Sequence, residues 1–223
     1  MTQERTQENK NRLTEIVFIL DASGSMHGLE SDTIGGFNSM LDKQKKLGGE
    51  AYVSTILFDN DSKVIHDRKP IATIAPMIDR DYSVGGCTAL LDAVGGAIHH
   101  IGNIHKYARE EDRPDKTLFV IITDGYENAS CEYTYDKVKH QITRQQEKYG
   151  WEFMFLGANI DAAKEASKYG IKKDMAVNFV CDRKGTALNY EAVSEAISSM
   201  RMGGVVGDVW RDKIDADYAK RRK

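Results

Sequence analysis

Two uniformly apolar runs constrain this chain more than any other feature. Ile16-Val17-Phe18-Ile19-Leu20 ends in Asp21-Ala22-Ser23-Gly24-Ser25-Met26, and Leu118-Phe119-Val120-Ile121-Ile122 ends in Thr123-Asp124-Gly125. Neither run alternates as a half-exposed strand does, so each reads as a strand buried on both faces. Strands of that kind belong to parallel sheets covered by helices, which carry their sites at the carboxyl edge. Asp21, Ser23, Ser25 and Asp124 therefore stand where such a fold places its chemistry.

The rest of the chain supplies the helices. Ile34, Phe37, Met40 and Leu41 recur at helical spacing from Asp32 or Thr33 to about Leu47, where Gly48-Gly49 stops them. Residues 51–59 read as a second strand. Lys63 to Asp67 reads as a third, joined by a connection so short that the pair is antiparallel. Thr88 opens a helical pattern that ends near Tyr107. A charged helix over Tyr133–Lys148 follows the second apolar run. Then come a strand over 151–157, a short helix over Ala162–Tyr169, a strand over Met175–Cys181 and a helix over Asn189–Met202. Strands alternating with helices predict an α/β fold: a doubly wound, mostly parallel central sheet with one antiparallel edge strand and helices on both faces. Residues 1–13 read as a polar arm, 14–204 as the folded domain, and 205–223 as a helical, basic tail. In that tail Trp210, Ile214 and Tyr218 form an i, i+4, i+8 stripe. The stripe predicts a small helix docked on the body, and the same spacing would also serve a helix offered to a partner.

Composition narrows the function. Of 223 residues, 31 are basic and 34 acidic, giving a formal net charge of -3 and no general pull toward nucleic acid or anionic membrane. Met1 to Arg12 lacks the apolar core of a signal peptide. No stretch approaches the about 20 apolar residues of a membrane span. Cys87, Cys131 and Cys181 are an odd set without zinc-ligand spacing, which predicts reduced thiols and a cytoplasmic location.

The loop after the first strand offers only hard oxygens, from Asp21, Ser23 and Ser25. These suit Mg²⁺, Mn²⁺ or Ca²⁺ better than zinc or copper. The same residues also fit a capped helix start, with side-chain oxygens accepting from free backbone N–H groups. Thr88, behind Gly85-Gly86, and Asp124 complete three loops that an α/β sheet can bring to one edge. With these residues in place, the chain resembles a von Willebrand factor type A domain. Asp21-Ala22-Ser23-Gly24-Ser25 matches the D-x-S-x-S of that family's metal ion-dependent adhesion site. Thr88 matches its lone threonine, and Asp124 its third-loop acid. The resemblance covers about Thr14 to Met202.

It implies a domain that binds Mg²⁺ or Mn²⁺, with Ca²⁺ a poorer fit. Ser23 and Ser25 would coordinate directly and Asp21 mostly through water, while Thr88 and Asp124 exchange direct and water-mediated roles. The remaining position would take an Asp or Glu of a partner protein. Intracellular relatives of this kind work beside ATPase machines or stress-response proteins. Met26, His27, Cys87, Tyr126 and Glu127 are the expected partner-binding rim, with Glu127 placed to meet a metal-bound water. The expected function is thus a non-enzymatic, metal-dependent protein-binding module inside the cell.

The alternative is a Mg²⁺-dependent phosphohydrolase that uses the same carboxyl-edge aspartates. That chemistry wants a second acid two residues after Asp21, where this chain has Ser23, and a general acid/base nearby. Nucleotide-binding signatures, G-x-x-x-x-G-K-[ST] and a strand-linked G-x-G-x-x-G, are absent. His99, His100 and His105 share a helix without i, i+4 spacing and read as a solvated face. Asp59 and Asn60 read as turn residues.

Overall fold

The computed structural model describes residues 13–222; the expected N-terminal arm, apart from Leu13, lies outside the described residues. Six strands form one sheet: β1 (Thr14–Asp21), β2 (Ala51–Phe58), β3 (Ser62–Pro70), β4 (Lys116–Thr123), β5 (Glu152–Ala158) and β6 (Ala176–Phe179). Their order is β3-β2-β1-β4-β5-β6. All neighbours pair in parallel except β2 and β3, the antiparallel edge that so short a connection requires.

Helices cover both faces, and the period of two in each strand divides the core between them. From β1, Ile16, Phe18 and Leu20 point into one layer with α1 (Glu30–Lys46), α5 (Arg183–Arg201) and α6 (Asp212–Arg221). Val17 and Ile19 point into the other, with α2 (Leu90–Tyr107), α3 (Tyr135–Tyr149) and α4 (Ala162–Lys168). Phe18 and Phe119 are fully buried, as uniformly apolar strands demand. The chain winds one way from β1 to β2 and the other way from β4 to β6. The winding reverses between β1 and β4, and the crevice at the carboxyl ends of those strands is where open α/β sheets bind ligands.

Helix α5 begins at Arg183, well before the expected Asn189. Asp182 caps it, its Oδ1 accepting from the Gly185 amide at 2.8 Å. The tight entry needs glycine: a Cβ on Gly185 would lie 1.9 Å from the Val180 carbonyl oxygen. A glycine in the first turn hides a helix start from periodicity, which explains the shortfall. The tail is docked. Trp210 and Ile214 are buried, and Trp210 Nε1 donates to the Asp174 carbonyl at 3.1 Å. Arg221 pairs with Asp182 and Asp217, tying α6 to the cap of α5. The apolar stripe is thus spent inside the molecule and is not a free partner-binding face.

The histidine expectation holds for His99 and His100, which are exposed, and fails for His105. Its Nε2 lies 3.1 Å from Oε2 of Glu15, a carboxylate with no exposure at all. Arg68 closes the cluster, its Nε donating to both Glu15 oxygens at 3.0 and 2.8 Å. Local spacing carries no signal for this contact, because its three members lie on β1, β3 and α2.

Candidate metal and partner site at the sheet switch point

Asp21 ends β1 beside β4, where Leu20 is in register with Ile122. Both of its carboxylate oxygens are engaged. Oδ1 accepts from the Ser23 amide at 2.7 Å, and Oδ2 accepts from the Thr123 hydroxyl at 2.6 Å. The Tyr82 hydroxyl donates to the Asp21 carbonyl. The first loop then turns as a short 3-10 segment over Gly24–Met26. Ser23 Oγ lies 3.1 Å from Ser25 Oγ, which donates to Asp124 Oδ1 at 2.6 Å. A Cβ built on Gly125 would be 3.6 Å from Thr88 Oγ1 and 3.9 Å from Ser25 Oγ, so the threonine hydroxyl faces the same point. The fold thus gathers Asp21, Ser23, Ser25, Thr88 and Asp124 from three loops. Asp21, Ser23, Thr88 and Asp124 are buried beneath an exposed Ser25.

The Thr88 loop is held by residues distant in sequence. Asn128 takes the Thr88 amide on its Oδ1 at 2.9 Å and returns its own amide to the Thr88 carbonyl at 3.1 Å. Asn60, expected to be a turn residue, accepts from the Cys87 amide at 2.7 Å. Gly86 has a φ of +68°, a conformation that glycine adopts without steric cost, and its carbonyl takes the Gly24 amide at 3.1 Å. Asn128 was expected at the rim, whereas Tyr82, Asn60 and Thr123 are the site residues that sequence reasoning missed. Each supports a loop through a contact of long sequence separation.

Two of the expected rim residues face elsewhere. Met26 is buried, lining a small internal cavity with Leu20, Thr33, Ile122, Phe179 and Tyr190. Glu127 turns inward, accepting from the amides of Leu91, Ala129 and Ser130 at 2.7–3.0 Å. A carboxylate there meets the free N–H groups and positive end of α2, which holds it away from the mouth of the loops. His27 and Cys87 are exposed, as is Tyr126, and these three remain on the outer surface of the loops.

Burial pushes the Asp21 carboxyl above its ordinary value of 3.8, opposed by the hydrogen bonds from Ser23 and Thr123 and reinforced by the nearby Asp124. Two buried acids that repel one another, faced by three hydroxyls, are a donor set that a hard cation completes. Among the described residues no three His, Cys, Asp or Glu side chains converge as a conventional metal cluster. The fit to a cation therefore rests on the serine and threonine oxygens.

No protein-family model matches the sequence, and no curated protein does. Solved structures do. Proximal thread matrix protein 1 from the mussel byssus, with its MIDAS motif occupied by zinc, superposes with a TM-score of 0.57 at 16% identity, over 84% of this chain and 46% of that one. The PilB minor pilin of Streptococcus sanguinis gives 0.58 at 11% identity, over 85% and 62%. A von Willebrand factor type A protein from Catenulispora acidiphila gives 0.54 at 15% identity, over 84% and 43%. The chain has the fold of a von Willebrand factor type A domain. It spans less than two thirds of the length of each of these proteins. At such identities the likeness is one of fold. Among the described residues no helix is long and apolar enough to cross a membrane.

Proposed function

We propose that this type A domain is a cation-dependent protein-binding module without enzymatic activity, working in the cytoplasm. The observation that carries the proposal is the convergence of three hydroxyls and two carboxylates at the switch point of the sheet. Ser23, Ser25, Thr88, Asp21 and Asp124 would hold Mg²⁺ or Mn²⁺. When bound, the cation supplies a positive charge that few direct anionic ligands compensate, and so attracts an external carboxylate. The chain's own part is positional. Thr123 and the Ser23 amide hold Asp21 in the first loop, Asn128 holds Thr88, and Ser25 stands at the mouth above the buried oxygens. His27, Cys87 and Tyr126 surround that mouth as the surface a partner would touch. The free thiols of Cys87, Cys131 and Cys181 accord with a reducing compartment. Zinc in the MIDAS motif of the mussel protein supports a divalent ion in a site of this geometry.

Capture from lysate tests the module. Immobilised wild type in Mg²⁺ is compared with wild type in EDTA and with Thr88→Ala in Mg²⁺. The expected result is a partner retained only in the first arm. A partner retained equally in all three would move the binding surface away from these loops.

Acidity provides a second check. A carboxyl whose folded pKa is raised adds stability below its unfolded value and loses it as pH rises through the folded one. Ionised Asp21 is therefore a cost to the metal-free fold at neutral pH, and cation binding must hold it ionised. The thermal stabilisation by Mg²⁺ is expected to shrink as pH falls through Asp21's raised range, above the ordinary 3.8. Calorimetric melting with and without Mg²⁺ at a series of pH values reads this directly. A Mg²⁺ effect that stayed constant down to the ordinary carboxylate range would rule Asp21 out.

A further inference from the structure

A second site lies at the opposite edge of the sheet. The C-terminal half of α2 and the middle of α3 flank a cavity of about 470 Å³, floored by Trp151 at the entry to β5. Its volume falls within the ~300–1,000 Å³ of ordinary small-molecule sites. The walls are basic: Lys106, Arg113 and Arg144, with His99, His105 and His140. No Asp or Glu among the described residues lines it, although the chain as a whole carries a net charge of -3. Glu111 and Asp112 pair with Arg109 beyond the rim, and buried Glu15 is shared between Arg68 and His105 behind the floor. The floor is rigid, with Trp151 stacked on Phe119 and the His105 ring set edge-on against Trp151 at 5.2 Å.

Among the described residues, one atom of this basic wall has no hydrogen-bond partner. Oε1 of Gln141 is buried without a hydrogen bond, and buried polar atoms are rarely left so. A hydroxyl would satisfy that amide in either orientation, since it both donates and accepts. Guanidinium groups match phosphate oxygens in a two-pronged geometry, and a cavity lined by one sign of charge concentrates the opposite ion.

We propose that this cavity binds a small phosphate monoester that carries hydroxyl groups, its phosphate held by Arg113, Arg144 and Lys106 and a hydroxyl held by Gln141. The site is separate from the carboxyl-edge loops and needs no cation there.

Calorimetric titration of the full chain with ribose 5-phosphate, and in parallel with inorganic phosphate, tests the proposal. EDTA is present throughout, so that phosphate cannot bind through a metal. Ribose 5-phosphate is expected to saturate one site and to bind more tightly than inorganic phosphate. Arg144→Gln should weaken both probes about tenfold or more, the loss of one charge-assisted contact. Gln141→Leu should erase the preference for the ester while leaving inorganic phosphate unchanged, and circular dichroism checks that each variant is folded. Equal affinities for the two probes, or full affinity in Arg144→Gln, would overturn the assignment. So would binding to vesicles containing a phosphoinositide without binding to ribose 5-phosphate, since the ligand would then be a lipid headgroup.

Discussion

Replacing Glu15 with alanine is expected to destabilise the fold by about 3–5 kcal/mol, the usual cost of removing one member of a buried ion pair. For a chain of this length that corresponds to a fall in Tm of about 6–20 °C, at ~2–4 °C per kcal/mol. Glu15 sits within β1 and is fully buried, and Arg68 reaches both of its oxygens. His105 lies against the same carboxylate. Without Glu15, Arg68 keeps a largely buried guanidinium that has lost its counter-charge, stacked over the Tyr52 ring at 4.8 Å. Desolvation makes such an orphaned charge more expensive than the pair was favourable. Replacing both partners by apolar residues of similar volume, Glu15→Leu with Arg68→Met, should therefore recover most of the loss. Urea unfolding of the wild type and the two variants measures both effects. A loss below about 1 kcal/mol in Glu15→Ala would place the pair in the class of solvent-screened surface bridges.

The second large effect concerns the carboxyl-edge loops. A ligand at ~100 times its dissociation constant stabilises the native state by about 2.7 kcal/mol. Saturating Mg²⁺ or Mn²⁺ should therefore raise the Tm by about 5–11 °C. Thr88→Ala, Ser25→Ala and Asp124→Ala should each remove that rise. Ser25 is the most informative of the three, being exposed and bonded only to Ser23 and Asp124, so its loss should hardly alter the metal-free fold. A Zn²⁺ titration belongs beside the others, since zinc occupies the MIDAS motif of the mussel thread matrix protein. An unchanged Tm of the wild type in all three ions would refute the metal reading. A rise that persisted in Ser25→Ala and Asp124→Ala alike would locate the ion elsewhere.

The two experiments perturb opposite ends of the same strand. Glu15 stands near the start of β1 and Asp21 at its end, and the apolar residues between them separate the two faces of the core. Both acids are buried, but they are treated differently. Glu15 is neutralised by cations of its own chain, whereas Asp21 has only hydrogen-bond donors and a second acid nearby. A buried carboxylate without an internal counter-charge is the kind that functional sites hold ready for a ligand.

Much of this was legible in the sequence because it depends on neighbours along the chain. Apolar runs without alternation specified the inner strands, and three-to-four-residue periodicity specified α1 and α2. The short connection at Asn60-Asp61 required an antiparallel edge. The D-x-S-x-S spacing also placed three oxygens on one loop by local geometry alone. What the sequence could not disclose was decided by pairing across the fold. The order β3-β2-β1-β4-β5-β6 sets Asp21 beside Thr123, and no local pattern encodes which strands become neighbours. Glu127 reads as a rim residue until the end of α2 arrives to take its carboxylate. His105 reads as solvated until β1 and β3 bring Glu15 and Arg68 beneath it. In each case the side chain's partner lies tens of residues away. Its free energy depends on the desolvation and charge that only the packed structure creates.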